Sequence, residues 1–182
     1  MVPGAGVPGF IARFDVTNAE FAEFLSDARG YAGDLNWTST GRAWKATSGS
    51  SASAALTPTD AEFKRFGQPH QPVTGVTWFE AHTYCNWLTK KFGRGRWLFS
   101  LPSEAEWEKA AGWDDANQAR RVYPWGDTFA GSPVNFCDTN CPFDWADKNA
   151  NDGYADTSSV GSFPGGASFY GVFDIAGNVW EW

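Results

Sequence analysis

QPVTGVTWFEAHTYCNWL, residues 71–88, carries two kinds of local structure in one line. Val73–Val76 is a short β-like run. Immediately after it, Thr77 and Glu80 stand three residues apart. That is the spacing of a capping box, in which a hydroxyl accepts from a first-turn amide and the carboxylate reaches back to the cap. Behind the cap, Trp78, Ala81, Tyr84, Cys85 and Leu88 share one helical face, and Gly93 offers a stop. A strand-like run followed by a capped helix with an aromatic stripe predicts an α+β domain.

The same signature recurs on both sides. Upstream, Thr17 and Glu20 cap a segment that buries Phe21, Phe24 and Leu25. Downstream, Ser103 and Glu106 cap one that buries Trp107, Ala110 and Ala111 and stops near Gly112. A fourth pair, Thr59 and Glu62, opens a weaker helix with Ala61, Phe63 and Phe66 to bury. Further β-like runs are Phe10–Val16, Arg96–Leu101 and Ser159–Phe163. Residues 38–58 are small and polar and predict a surface excursion. From Tyr123 onward no helix is predicted, and turns are signalled at Trp125-Gly126-Asp127, Asn151-Asp152-Gly153, Pro164-Gly165-Gly166 and Gly177-Asn178. With no repeat and no linker, residues 1–182 read as one domain with a long irregular second half.

Composition agrees with that reading. Phe, Trp and Tyr number 15, 11 and 5, whereas Leu and Ile together number only eight. Rings bury a large area each and tolerate irregular backbone, so the core is expected to be aromatic. The net charge of −7 argues against a nucleic-acid surface, which needs clustered Lys and Arg. No apolar run reaches the length of a membrane span, and the first ten residues, MVPGAGVPGF, lack the pattern of a leader.

Six segments in order resemble the formylglycine-generating-enzyme (sulfatase-modifying-factor) family: FDVTNAEFAEFL (14–25), QPVTGVTWFEAHTYCNWL (71–88), LPSEAEWEKAAG (101–112), VYPWGD (122–127), DGYADTSSVGSF (152–163) and YGVFDIAGNVWEW (170–182). The resemblance implies a loop-rich, C-type-lectin-like α+β fold. It implies a full-length protein that oxidises a sulfatase cysteine to formylglycine with copper, making a sulfatase polypeptide the expected partner. It also implies that the chain is truncated at both ends, lacks the family's copper-binding cysteine pair and is inactive by itself. The same fold hosts sulfoxide synthases, sensor domains fused to kinases and variable ligand-binding proteins, so a non-catalytic binding or sensor module is the competing expectation.

The resemblance places two structural calcium sites in the acidic loops. Asn135 and Asp152 would give side-chain oxygens to the first, with the Phe136 and Tyr154 carbonyls. Asp174 and Glu181 would serve the second, with the Gly177 and Val179 carbonyls. Irregular backbone suits calcium, which takes six to eight hard oxygens and uses carbonyls freely. No catalytic residue is assigned. Cys85 falls on an apolar helical stripe and reads as a small buried hydrophobe. Cys137 and Cys141 are close enough to pair in an oxidising compartment or to stay as two thiols in a reducing one. His70 and His82 are too few for a three-histidine iron centre, which disfavours a self-contained sulfoxide synthase.

Overall fold

Thr17, Thr77 and Ser103 each close the capping box that their spacing predicts. Their amides donate to Glu20 Oε2 at 2.8 Å, Glu80 Oε2 at 2.9 Å and Glu106 Oε2 at 2.8 Å. These boxes start α1 (Asn18–Ser26), α4 (Trp78–Phe92) and α5 (Glu104–Gly112). The computed structural model describes residues 2–3, by their backbone alone, and 9–182. Most of the decapeptide read for a leader therefore lies outside the described residues. The molecule is mixed α/β and loop-rich, and its contacts cluster into two units. One comprises residues 16–101 with Trp182, and the other residues up to 15 with 102–181.

In the unit of residues 16–101, α1 and α4 meet through rings. Phe21 and Phe24 are essentially without exposure. Phe21 stacks on Tyr84 at 5.3 Å, and Phe24 packs against Trp87 at 5.5 Å. Trp87 keeps its indole N–H satisfied by donating to Asp27 Oδ2 at 3.0 Å, as a buried indole requires. Cys85 is partly buried on the same helix, and burial pushes its thiol up to about 11. The ring of Trp182 belongs to this unit too, its N–H donating to the Val76 carbonyl at 2.9 Å.

Residues 38–58 lie largely at the surface, as their composition predicts, but they carry a helix and core contacts that it does not. Thr38 caps a helix, α2 (Ser39–Thr47), by accepting from the Gly41 amide. Trp44 then stacks between Trp37 at 6.2 Å and Phe79 at 5.9 Å. Ala52 enters the core beside Phe21 and Phe24. The buried Ser53 accepts from the Thr74 amide at 2.8 Å and donates to Asn18 Oδ1 at 2.7 Å. Small residues were needed here because they fit between rings, a demand that local composition does not reveal.

The predicted cap at Thr59 is also corrected. The neighbouring helix α3 (Phe63–Phe66) begins after Glu62 with no side-chain cap, and Asp60 instead accepts from the Thr57 amide at 2.5 Å. Asp60 offers a closer acceptor for that turn than the longer Glu62. Of the predicted β-like runs here, Val73 bonds the Val16 carbonyl at 2.8 Å beside an isolated Thr17–Pro72 bridge. Arg96–Leu101 forms no strand, because Thr89 Oγ1 takes the Phe99 amide at 2.8 Å and donates to the Phe99 carbonyl.

The second unit has two short antiparallel pairs, β1 (Val2–Pro3) with β2 (Phe10–Ile11) and β3 (Trp113–Asp114) with β4 (Ala119–Arg120). Its core joins Ala110 of α5 to Val172 and Ile175, with Ile11, Trp107, Ala111 and Tyr170 around them. The Arg13 guanidinium lies 4.9 Å over the Phe173 ring. Ser159–Phe163 turns rather than extends, with Ser162 N–H bonded to the Ser159 carbonyl at 3.2 Å, and leads into a 3-10 turn at Pro164–Gly166. Buried Asp114 anchors the β3–β4 connection. The Asn117 side-chain amide foremost, then the Asn117 backbone amide and the Arg121 guanidinium, hold its carboxyl down to about 2 against the opposing effect of burial.

Two outcomes follow from these anchors. Asn18 is buried and donates to the Phe66 and Gln68 carbonyls at 2.6 and 2.9 Å while accepting from Ser53. Asn18→Ala strands these partners and should lower stability by about 3 kcal/mol, against about 1 kcal/mol for the cap variant Thr17→Ala, in urea unfolding. For Asp114, the folded value lies below the ordinary 3.8. Its contribution is therefore present above that pH and is lost as pH falls towards about 2. Thermal melts across that window should show the loss, and Asp114→Asn should flatten the slope.

Candidate functional site

The irregular half of the chain satisfies its backbone with Asp and Asn side chains. Asp152 accepts the Phe136 amide on Oδ2 at 2.9 Å and the Tyr154 amide on Oδ1 at 2.8 Å. Its own amide donates to Asp138. Asn135 donates through Nδ2 to the Asp156 carbonyl at 2.8 Å and to Asn178 Oδ1 at 3.1 Å. Phe136 and Tyr154 are thus tied to the Asp152 carboxylate through their amides rather than the carbonyls the first predicted site would use, while Asn135 bonds to Asp156 and Asn178. Each Asp152 oxygen already takes one amide, and a carboxylate has acceptor capacity beyond two bonds.

The second set surrounds a different carboxylate. Asp174 is buried, with a φ of 57°, and its Oδ2 accepts the Gly161 amide at 2.5 Å. Glu181 accepts the Trp107 indole N–H at 2.8 Å. Gly177, at φ 81°, turns the chain between them, and a Cβ there would collide with the Asn135 carbonyl. The Gly177 carbonyl accepts the Val179 amide at 2.7 Å.

Sequence reasoning missed the third carboxylate of this region. Asp15 Oδ2 is buried and has no hydrogen-bond partner. Burial foremost, then the charges of Glu181 and Asp174, push Asp15 up to about 8. Burial also raises Asp174. Although Glu181 keeps surface exposure, the atoms crowding its carboxyl raise it too, with Asp174 adding to the effect. Three carboxyls that oppose one another's ionisation are what a cation would relieve. Asp15 stands far from Asp174 in sequence, with nothing local to mark it. Asn178 was missed as well, yet with a φ of 58° its Oδ1 accepts both the Ser158 amide at 2.9 Å and Asn135 Nδ2, tying the region together. Its place in a Gly-Asn turn was the available signal.

Among the described residues, no three His, Cys, Asp or Glu side chains converge as a complete metal-ligand set. A hard cation here would need carbonyl oxygens besides the carboxylates, as calcium accepts. The thiols do not fit a copper pair, because Cys137 and Cys141 are bonded to each other and Cys85 is partly buried with a raised thiol. His82 stacks on Trp78 at 5.0 Å and its Nδ1 lies 3.2 Å from Asn86 Nδ2, a packing role. No helix of the described residues is long and apolar enough to cross a membrane.

Capped helices under a ring core and a second half tied by Asp and Asn are the framework on which the six sequence segments lie. The chain belongs to the family of sulfatase-modifying factor enzyme 1-like domains, whose family model matches residues 6–182. It is 36% identical to the hercynine oxygenase of Mycolicibacterium thermoresistibile, covering 97% of this chain and 35% of that protein. It is 32% identical to the formylglycine-generating enzyme of Thermomonospora curvata, covering 96% of this chain and 59% of that one. Over 61% of its length it is 39% identical to the bovine inactive C-alpha-formylglycine-generating enzyme 2, covering 32% of that protein. The chain therefore spans between about a third and three fifths of these relatives.

Proposed function

We propose that this chain is the calcium-stabilised scaffold of an oxidase of the sulfatase-modifying-factor type, whose whole protein converts a sulfatase cysteine to formylglycine. The relatives named as a formylglycine-generating enzyme and a hercynine oxygenase support an oxidative role. The partner that this reading implies is a sulfatase polypeptide. The observation that carries the calcium reading is the unpartnered, buried Asp15 Oδ2 beside the charges of Asp174 and Glu181. An ionised carboxylate held away from water is costly unless a counter-charge meets it. The second site then comprises Asp15 and the predicted Asp174, Gly177, Val179 and Glu181, and the first Asn135, Phe136, Asp152 and Tyr154.

A competing reading is a non-catalytic binding or sensor module. The bovine relative named as inactive favours it, because it pairs this domain family with a lack of activity. Both readings share the scaffold and differ in chemistry. The chain's own thiols offer no free pair, so the chain by itself is expected to form no aldehyde from a sulfatase-derived cysteine peptide, with or without copper(I) and oxygen. Mass spectrometry of the peptide checks this, and aldehyde above a no-protein control overturns it.

Thermal melts test the cation. Calcium at a hundredfold excess over its dissociation constant should stabilise the chain by about 2.7 kcal/mol for each site relative to chelator at constant ionic strength. Asp15→Asn should cut the calcium response at the second site, and in chelator it should raise stability only above about pH 8, where the Asp15 carboxyl ionises. Asp152→Ala should cut the response at the first. Magnesium should stabilise less, since it demands short octahedral contacts. Equal melting temperatures in calcium and chelator would reject the calcium reading.

A further inference from the structure

Within the stretch of chain that carries the first candidate cation site lies a covalent feature that neither site uses. Cys137 and Cys141 are disulfide-bonded at a separation of four residues. The ring they close includes Asp138, which has no exposed surface. Asp138 Oδ1 accepts the Asn140 backbone amide at 2.8 Å and the Asn140 side-chain amide at 2.9 Å. Its Oδ2 accepts the Asp152 amide. The Asp138 carbonyl accepts the Cys141 amide at 3.0 Å, drawing the ring closed on its own hub. Burial alone would raise the Asp138 carboxyl, but the Asn140 and Asp152 amides outweigh it and hold the group ionised below the ordinary range.

From this hub the connections run outward in one direction. Asp152, fixed through its amide, holds the Phe136 and Tyr154 amides with its carboxylate. Asn140 reaches Asn151 Oδ1 at 3.0 Å, and that oxygen also takes the Gly153 amide at 3.1 Å. The cysteine carbonyls are engaged as well. That of Cys137 accepts the Asp147 amide at 3.1 Å, and that of Cys141 accepts Lys148 Nζ at 3.3 Å. Every strut of residues 136–154 named here leads back to the five-residue ring. A disulfide spanning so few residues restrains the unfolded chain little compared with a long-range one, so its effect is local.

We propose that the Cys137–Cys141 disulfide is a reducible clasp that sets the order of the loop from Phe136 to Tyr154. The attacked atom is Cys137 Sγ, because Cys137 is half-buried whereas Cys141 is buried. A thiolate of a dithiol reductant bonds to Cys137 Sγ, and the S–S bond breaks to release Cys141 as a thiolate that takes a proton. The second thiol of the reductant then displaces Cys137. The dithiol leaves as a disulfide, and two electrons and two protons have passed to the protein. With the ring open, Asn140 is no longer held over Asp138, and the Asp138–Asp152 link loses the geometry that kept it buried. The clasp needs no bound cation.

The test uses the full chain and dithiothreitol. Alkylation after denaturation should label one cysteine without reductant and three with it, since Cys85 is the free thiol. Hydrogen exchange of the native chain should then be compared between the two states. Reduction should speed exchange roughly tenfold or more at Phe136, Asn140, Asp147, Asp152 and Tyr154, leaving α4 as it was. The double variant Cys137→Ser/Cys141→Ser should reproduce the reduced pattern. Unchanged exchange after full reduction would overturn the proposal. So would acceleration extending through α4, which marks global unfolding, or a disulfide that dithiothreitol opens only in denaturant.

Discussion

The last third of this chain, residues 121–182, must keep its backbone amides satisfied without a ladder to bond them to. The strands described are two residues long, and after β4 at Arg120 no α-helix follows. Buried amides left unpaired cost on the order of a hydrogen bond each. Asp138, Asp152, Asp174 and Asn178 meet that demand, each accepting amides from loop residues. A carboxylate suits this task because it only accepts and can take several donors at once.

That solution has an electrostatic consequence. Carboxylates surrounded by donors, such as Asp138, are held ionised at low cost. Asp15 lacks those donors, and with Asp174 and Glu181 beside it the same residue type becomes a liability. The contrast between a saturated carboxylate such as Asp138 and the orphaned Asp15 Oδ2 singles out the second candidate cation site. It also explains why acidity of composition alone could not locate that site.

The unit of residues 16–101 solves a different problem. Its helices are nine to fifteen residues long apart from the single turn of α3, and its few aliphatic side chains give little area to bury. Rings supply the area, and their polar edges are met by specific partners, as Trp87 is by Asp27 and Trp37 by the Tyr31 carbonyl at 2.9 Å. Geometry of this kind fixes the helices more narrowly than an aliphatic core would, since each ring brings both a face and a donor.

The sequence by itself determined the three boxed caps, the buried Phe21 and Phe24 of α1 and Ala110 of α5, and the lack of α-helix after Tyr123. It did so because a capping box and a helical stripe act within a few residues of each other. On α4, however, it placed Trp78 in the core, where the structure exposes Trp78 and buries Trp87 beside Tyr84. Family membership was legible too, through six segments that keep their order. The tertiary structure alone decided that Trp44 stacks between Trp37 and Phe79, that α3 begins without the cap predicted at Thr59, and that Cys137 and Cys141 are bonded. It alone brought Asp15 to Asp174 and Glu181 across more than a hundred and fifty residues of chain. Such encounters depend on where distant loops are packed, and a carboxylate carries no local mark of which charge it will meet.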